Sequence, residues 1–406
     1  MYLKKLFPIF FFVISISVSA QDVGIKTKVY GFIRNDFFYN SRKSEESTDG
    51  VFNFFPKPIE LSFETDKNAV PQAELISVNT RLGLDIFGSE LFGAKSSARI
   101  ETDFAGTGTT FFILRLRLAY MKLNWSKTEL TIGQDWHPLF GSVAPNVLSL
   151  NGGAPFQPFN RSPQIKFKYL ASNNLSLIAS ALYETQFASQ GPNGATSTYM
   201  KNAMIPELFL GAEVKSIHWT SGVGVDVKTI KPDVKKLTSF TAAAYSQFTD
   251  KNLQLKAKVT LGQNTTDLGM IGGYGVSKYA TDSVTVLSYT NLNTLNSWFN
   301  VVYGSKIQLG LLVGYSQNLG AEKEFDYRKG LKLTAYGCGF YDSGQQLIDR
   351  LIRISPQISY NLQNLKFGLE LDYSSAVFGN IQRDGRVSSP YNVDNKRVVA
   401  TMSYLF

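Results

Sequence analysis

The stretch that most limits the fold is the last one, Lys396-Arg397-Val398-Val399-Ala400-Thr401-Met402-Ser403-Tyr404-Leu405-Phe406. Successive side chains of a strand point to opposite faces, so Val398, Ala400, Met402, Tyr404 and Phe406 share one face while Arg397, Val399, Thr401 and Ser403 share the other. An apolar strand ending on Phe leaves unpaired backbone groups beside an apolar face, and on an open sheet such an edge recruits other chains. Closing the sheet on itself removes the edge. If the closed sheet sits in a membrane, the apolar face meets hydrocarbon and every backbone group is paired within the wall. Taken alone, the stretch also reads as an ordinary buried last strand.

The start of the chain adds a second constraint. Lys4-Lys5, the apolar run Leu6 to Val18, and Val18-Ser19-Ala20 before Gln21-Asp22 form the charged, apolar and small-residue parts of a cleaved secretion signal. The run is shorter than the roughly 20 residues of a spanning helix, which makes a membrane anchor the weaker reading. Residues 1–20 are therefore expected to be a signal peptide, and 21–406 a single outer-membrane β-barrel. Removing the signal leaves 386 of the 406 residues and lowers the formal charge from +9 to +7 through loss of Lys4 and Lys5. No apolar run after Ala20 is long enough for a spanning helix, so membrane residence must be by strands. At about 10 residues per tilted strand plus turns and loops, that length suffices for roughly 14 to 18 strands. The single Cys338, in Gly337-Cys338-Gly339, excludes an intrachain disulfide and reads as a small packing residue.

Period-two alternation runs through the chain. Residues 27–40 open as a strand with an aromatic end suited to the membrane interface. The polar run 41–50, followed by Pro56 and Pro58, reads as a long exposed loop. Residues 75–87 read as one strand, with Ile76, Val78, Leu82, Leu84 and Ile86 on one side and Ser77, Asn79, Arg81 and Asp85 on the other. In 111–125, Leu114, Leu116 and Leu118 oppose Arg115 and Arg117. Facing lipid near the midplane, each arginine would cost about 2–4 kcal/mol, so both are expected to face water inside. The cleanest alternation is 252–261, where Leu253, Leu255, Ala257, Val259 and Leu261 oppose Asn252, Gln254, Lys256, Lys258 and Thr260. Further strands are expected at 95–103, 128–135, 164–170, 175–183, 208–215, 220–230, 237–249, 284–289, 298–303, 306–318, 331–340, 350–360 and 365–373. The expectation is an all-β fold, a single transmembrane antiparallel β-barrel of about sixteen strands. A two-layer soluble sheet explains the alternation equally well, but not the secretion signal and terminal Phe together. Residues 136–163, with their aromatics and prolines, lack strand periodicity. A long irregular segment in a compact fold is usually functional, and here it is expected to fold into the lumen as a constriction loop.

The ending, a final Phe with aromatic or apolar residues at every second position before it, is similar to the C-terminal signature of bacterial outer-membrane barrels. Tyr30-Gly31-Phe32-Ile33-Arg34-Asn35-Asp36, Gly133-Gln134-Asp135-Trp136-His137-Pro138-Leu139-Phe140 and Pro158-Phe159-Asn160-Arg161-Ser162-Pro163-Gln164 resemble the DcaP-like outer-membrane porins. The resemblance implies a sixteen-stranded barrel assembled as a homotrimer, passing small solutes and favouring anions such as dicarboxylates. The chain departs from such proteins in having no clear coiled-coil heptads after Gln21, which they can carry.

With polar strand faces turned inward, the lumen receives Arg34, Arg81, Arg99, Arg115, Arg117, Lys166 and Lys168, and basic groups outnumber acids there. Ladders of Arg and Lys lower the barrier for anions. The competing reading is cross-strand charge pairing that supports the wall without selecting solutes, Arg34 with Asp36 for example. The sharpest constriction candidates are Arg115 and Arg117, with Arg81, Arg99 and Arg161 nearby and Asp135 and His137 shaping the passage. No catalytic, cofactor or metal site is expected: His137 and His218 are far apart without Glu-x-x-His spacing, and no Gly-x-Ser-x-Gly occurs. The expected partners are outer-membrane lipid and small anionic or polar solutes, not nucleic acid. A barrel transporting hydrophobic solutes and a barrel enzyme acting on lipid are the alternatives.

Overall fold

The structure is a computed structural model that describes residues 25–48, 50–106, 113–149, 152–281, 285–327 and 333–406, so the signal-peptide reading of residues 1–20 lies outside it. Among the described residues, sixteen antiparallel strands close into one barrel. They are β1 (Lys26–Asn40), β2 (Arg81–Leu91), β3 (Ala94–Gly106), β4 (Ile113–Asn124), β5 (Thr128–Trp136), β6 (Arg161–Leu170), β7 (Leu175–Leu182) and β8 (Glu207–Lys215), followed by β9 (Trp219–Ile230), β10 (Leu237–Asp250), β11 (Leu253–Gln263), β12 (Val286–Gly304), β13 (Ile307–Ala321), β14 (Gln346–Leu362), β15 (Leu365–Ile381) and β16 (Val387–Leu405).

Closure is between the first and last strands. Phe32 faces Leu405, Arg34 faces Ser403, Asp36 faces Thr401 and Asn40 faces Arg397. Gly31 and Phe406 complete the seam by exchanging backbone hydrogen bonds of 3.0 and 3.1 Å. Phe406 is 49% exposed and Leu116 45%, as lipid-facing residues of a wall must be. The alternation of the sequence becomes the two sides of this wall. In β11, Lys256, Lys258 and Thr260 are buried toward the interior, and Ala257, Val259 and Leu261 are exposed on the outside.

One rim carries only tight turns, such as 92–93, 251–252 and 363–364; Phe92 and Gly93 both take positive φ, 52° and 71°, the backbone of a two-residue hairpin turn. The opposite rim carries the long segments 41–80, 137–160, 183–206, 264–285 and 322–345. Three of these meet inside, so the apolar core lies within the barrel mouth: Phe55, Val143, Phe156 and Ile271 pack on Trp298, Ile348, Leu351 and Phe378 of the wall.

Four sequence expectations need correction. Of the expected strands 284–289 and 298–303, residues 286–289 and all of 298–303 are parts of the single long strand β12, Val284 lying outside the described residues. Segment 331–340 is not a wall strand: within it Ala335–Cys338 pairs with Gly272–Tyr279 above the rim, where a sheet extension needs no lipid face. Segment 75–87 is broken at 77–80, so Ile76 and Val78 turn inward against Phe38 and Phe159 while Leu82 faces lipid. In β4, the pairing with β3 skips one residue between Leu116 and Leu118; this bulge turns both Arg117 and Leu118 inward. Cys338 is half-buried beside Phe378 and its neighbours, a packing position.

Candidate functional site in the barrel lumen

The segment 137–160 enters the barrel and is fastened to one side of its inner wall by a succession of polar side chains. Lys258 of β11 donates to the carbonyls of Leu139 and Phe140, and Lys256 to Ala144 O and Asn146 Oδ1 at 3.2 and 2.9 Å. Asn300 of β12 accepts from Asn146 N–H at 2.9 Å, and Trp298 Nε1 donates to Gln157 Oε1 at 2.8 Å. Glu370 of β15 accepts from the amide of Leu148 at 2.7 Å. Arg353 of β14 donates to Ala154 O in this segment and to Asn53 O and Phe54 O of the first long segment, at 3.0, 2.9 and 2.7 Å. Irregular backbone inside a barrel must find partners for its amides and carbonyls, and these wall side chains supply them.

The wall of β1 to β8 keeps its polar face turned to the lumen and is laced with ion pairs, Arg34 of β1 also donating to Leu148 O of the constriction segment at 2.5 Å. Arg34 pairs with Asp36, Arg99 with Asp85, Arg115 with Asp103, Lys166 with Asp135 and Lys168 with Glu213, at 2.6, 2.6, 2.7, 2.5 and 3.5 Å. Arg81 stands 3.7 Å from Glu101. In most of these pairs the cation is the partner nearer water: side-chain exposure is 36% for Arg99 against 16% for Asp85, 23% for Arg81 against 8% for Glu101, 37% for Lys168 against 8% for Glu213, and 16% for Arg115 against 4% for Asp103. The reason is reach. Asp and Glu stay close to the strand that bears them, whereas Arg and Lys extend past them toward the axis.

Three of the candidate residues lie behind this surface, out of a solute's reach. Arg117 is pressed into the wall by the β4 bulge, bridging Glu101 and Asp103 at 2.7 and 2.8 Å. Arg161 is 0% exposed; its guanidinium has no hydrogen-bond partner among the described residues and lies over the rings of Trp136, Phe159 and Phe187 at 5.0, 5.4 and 5.1 Å. His137 is likewise buried, its Nδ1 accepting from Leu139 N–H and its Nε2 3.0 Å from Glu207 Oε1.

His137 belongs to a buried polar group that sequence spacing could not show, because its members come from five parts of the chain. Glu207 of β8, Asp226 and Lys228 of β9, Glu184 and Asp267 of two long segments, and His137 meet where the constriction segment leaves the wall. Atoms of His137, Glu207 and Asp226 able to bind a metal lie within 4.8 Å of one another. With Nδ1 of His137 accepting a hydrogen bond, the neutral ring carries its proton on Nε2 and donates it to Glu207, which ties the group into one hydrogen-bonded network. Lys228 pairs with Asp267 and lies 3.9 Å from Glu184. Burial, reinforced by the Asp267 carboxylate, pushes Glu184 up to about 8. Burial raises Asp267 as well.

No protein-family model and no curated protein matches the sequence. Solved structures do match in fold. The outer membrane channel DcaP of Acinetobacter baumannii aligns with a TM-score of 0.69 at 17% identity, over 94% of this chain and 97% of that one. OmpT of Vibrio cholerae in its trimer form aligns at 0.55 and 9% identity, over 94% and 99% of the two chains. Salmonella typhi OmpF in complex with daunomycin aligns at 0.53 and 12% identity, over 94% and 98%. The shared property is the closed sixteen-stranded barrel.

Proposed function

We propose that the chain is an outer-membrane porin of the DcaP-like kind, exported by residues 1–20 and admitting small hydrophilic solutes by passive diffusion, with a preference for anions such as dicarboxylates. The barrel it shares with outer-membrane channels supports the general role. The observation that carries the preference is the layering of charge on the inner wall, where cations stand toward the water and their carboxylates behind them. A solute passing between that wall and the constriction segment meets Arg34, Arg81, Arg99, Arg115, Lys166 and Lys168 before it meets Asp36, Glu101, Asp85, Asp103, Asp135 or Glu213, and a low-dielectric wall strengthens the field it feels. The process needs no catalytic group and no cofactor. Assembly as a homotrimer belongs to the same proposal. A lumen with this ladder does not favour the alternative of hydrophobic-solute transport.

Planar-bilayer recording across a salt gradient tests the reading. The expected outcome is an open channel whose reversal potential has the sign of anion preference, diminished when Arg81, Arg99 and Lys168 are replaced together by Gln. A silent bilayer, or cation preference in the unaltered protein, would reject it.

A further inference from the structure

Arg161, the first residue of β6, carries a charge that the ladder of exposed cations does not use. Its Nε, Nη1 and Nη2 are all buried without a hydrogen-bond partner among the described residues. Leaving a buried charge unpaired is costly. What answers it here is aromatic: the guanidinium lies over the rings of Trp136, Phe159 and Phe187. Two of those rings, Phe159 and Phe187, also line a cavity of about 320 Å³ in the barrel mouth, together with Phe52 and Phe54. Arg161 does not itself reach the cavity, so its charge is felt there through the rings.

The cavity is built by parts of the chain that meet only in the closed barrel. Phe52 and Phe54 come from segment 41–80, Phe159 from the constriction segment and Phe187 from segment 183–206. Phe52 meets Phe159 at 5.2 Å and Phe159 meets Phe187 at 5.9 Å, each pair in an edge-to-face arrangement, so the apolar lining is continuous. Arg115, the third residue of β4, supplies the one cation of the lining and stands at the loop-rim end of the ladder. It donates to Asp103 through Nε and Nη2 at 2.9 and 2.7 Å, which leaves Nη1 for a solute. Asp103 is shared with Arg117 and does not cancel the charge of Arg115. The one carboxylate of the lining, Asp267, is 1% exposed and paired with Lys228.

One cation beside an apolar lining selects a solute with one charge and a compact apolar body. A carboxylate at Arg115 leaves the rest of such a molecule against phenylalanine, whereas a second carboxylate would lose its water with no cation to receive it. A neutral solute leaves Arg115 unanswered, and a cationic one is repelled by Arg115 and Arg161 alike. The volume is at the lower end of the roughly 300–1,000 Å³ of small-molecule sites. We infer that the cavity is a holding site, ahead of the rest of the ladder, for monocarboxylates with a compact apolar body. Arg115 binds the carboxylate and the four phenylalanines enclose the body. Arg161 is a positioning residue: it holds Phe159 and Phe187 in place and makes their surroundings positive. The inference rests on the porin reading above and names a solute class within it.

The test is block of the single-channel chloride current of the full chain by cyclohexanecarboxylate, succinate or cyclohexylmethanol added on the loop-rim side. The expected half-blocking concentration of cyclohexanecarboxylate is about tenfold or more below those of the other two, and Arg115→Gln should raise it by a similar factor. Arg161→Met should raise it about fivefold, and Arg161→Lys, which keeps a charge behind the rings, should bring it back to within about twofold. A role in packing alone would favour Met over Lys. Gln186→Glu sets a carboxylate at an exposed position of the lining without removing packing, and should weaken block about tenfold. Equal block by succinate or cyclohexylmethanol, or block indifferent to Gln186→Glu, would overturn the site; equal block of the Arg161→Met and unaltered channels would remove Arg161 from it. The reversal potential of the same channels judges the porin reading by itself. An anion-preferring channel without block rejects this site alone, and a silent or cation-preferring bilayer rejects both.

Discussion

Glu184 shows what a single carboxylate does when a loop folds over it. Ser189 Oγ donates to its Oε1 at 2.7 Å, while its Oε2 is buried without a hydrogen-bond partner among the described residues. Its folded value of about 8 lies above the ordinary 4.5, so the folded protein binds the proton more tightly than the unfolded chain. That contribution to stability is complete below pH 4.5, weakens as pH rises, and is lost once pH passes about 8. The protection of amides across residues 185–200, with the intrinsic base-catalysed rate divided out, is therefore expected to fall between pH 5 and pH 9 by about tenfold or more, the equivalent of one pKa unit. Glu184→Gln should remove that dependence. Identical protection of the unaltered protein at both pH values would count against the assignment. At the same scale, the β4 bulge shows how one extra residue changes a role: period-two reading gives Arg115 and Arg117 the same task, but Arg115 reaches the water while Arg117 braces the wall.

Among the elements, the constriction segment depends most on its surroundings. Its backbone has little internal pairing and borrows partners from β1, β11, β12, β14 and β15. Arg353 is the central fastener, since it joins two long segments while its own charge is held by Asp372 at 3.2 Å and Ser374 at 3.1 Å. Arg353→Met would take the guanidinium from the carbonyls of Asn53, Phe54 and Ala154 and break its ion pair with Asp372, which keeps the Ser374 hydroxyl, a loss of about 3–5 kcal/mol by the usual cost of breaking a buried pair. The expected outcome is faster proteolysis within 138–160 and larger, noisier single-channel conductance, with the barrel itself still folded in detergent. Unchanged protease resistance would show that the other fasteners suffice. The long strands β12 to β16 make a related point: they outrun the roughly 9 to 11 residues needed to cross a bilayer, and their upper halves support the loops rather than meet lipid.

At the level of the whole molecule, the closed wall separates two solvents, so two neighbouring positions in one strand should respond oppositely to the same charge. Ile100 of β3 is exposed on the outside, whereas Ser97 is on the side of Arg99, toward the lumen. Ile100→Arg is expected to cost about 2–4 kcal/mol if near the bilayer midplane, and Ser97→Arg close to nothing. Urea unfolding in lipid vesicles measures both, and equal costs would mean that the sidedness is misassigned. The seam between β1 and β16 makes this separation possible, because it leaves no strand edge in contact with hydrocarbon.

Alternation and its punctuation were enough to establish a strand-built wall with an apolar outside and a charged inside, because side-chain direction in a strand is a local property with period two. They also marked residues 136–163 as the stretch that does not belong to the wall, which holds for 137–160, whereas Trp136 ends β5 and Arg161 to Pro163 open β6. Wherever a local irregularity resets the period, as at 77–80 and at Arg117, reading along the chain lost count. Which cations face water, which are consumed in holding the constriction segment, and that His137, Glu184, Glu207, Asp226, Lys228 and Asp267 meet at all were decided by the closed barrel. These are contacts between residues far apart in sequence, set by strand register and by how the long segments fold back, and no local pattern encodes them.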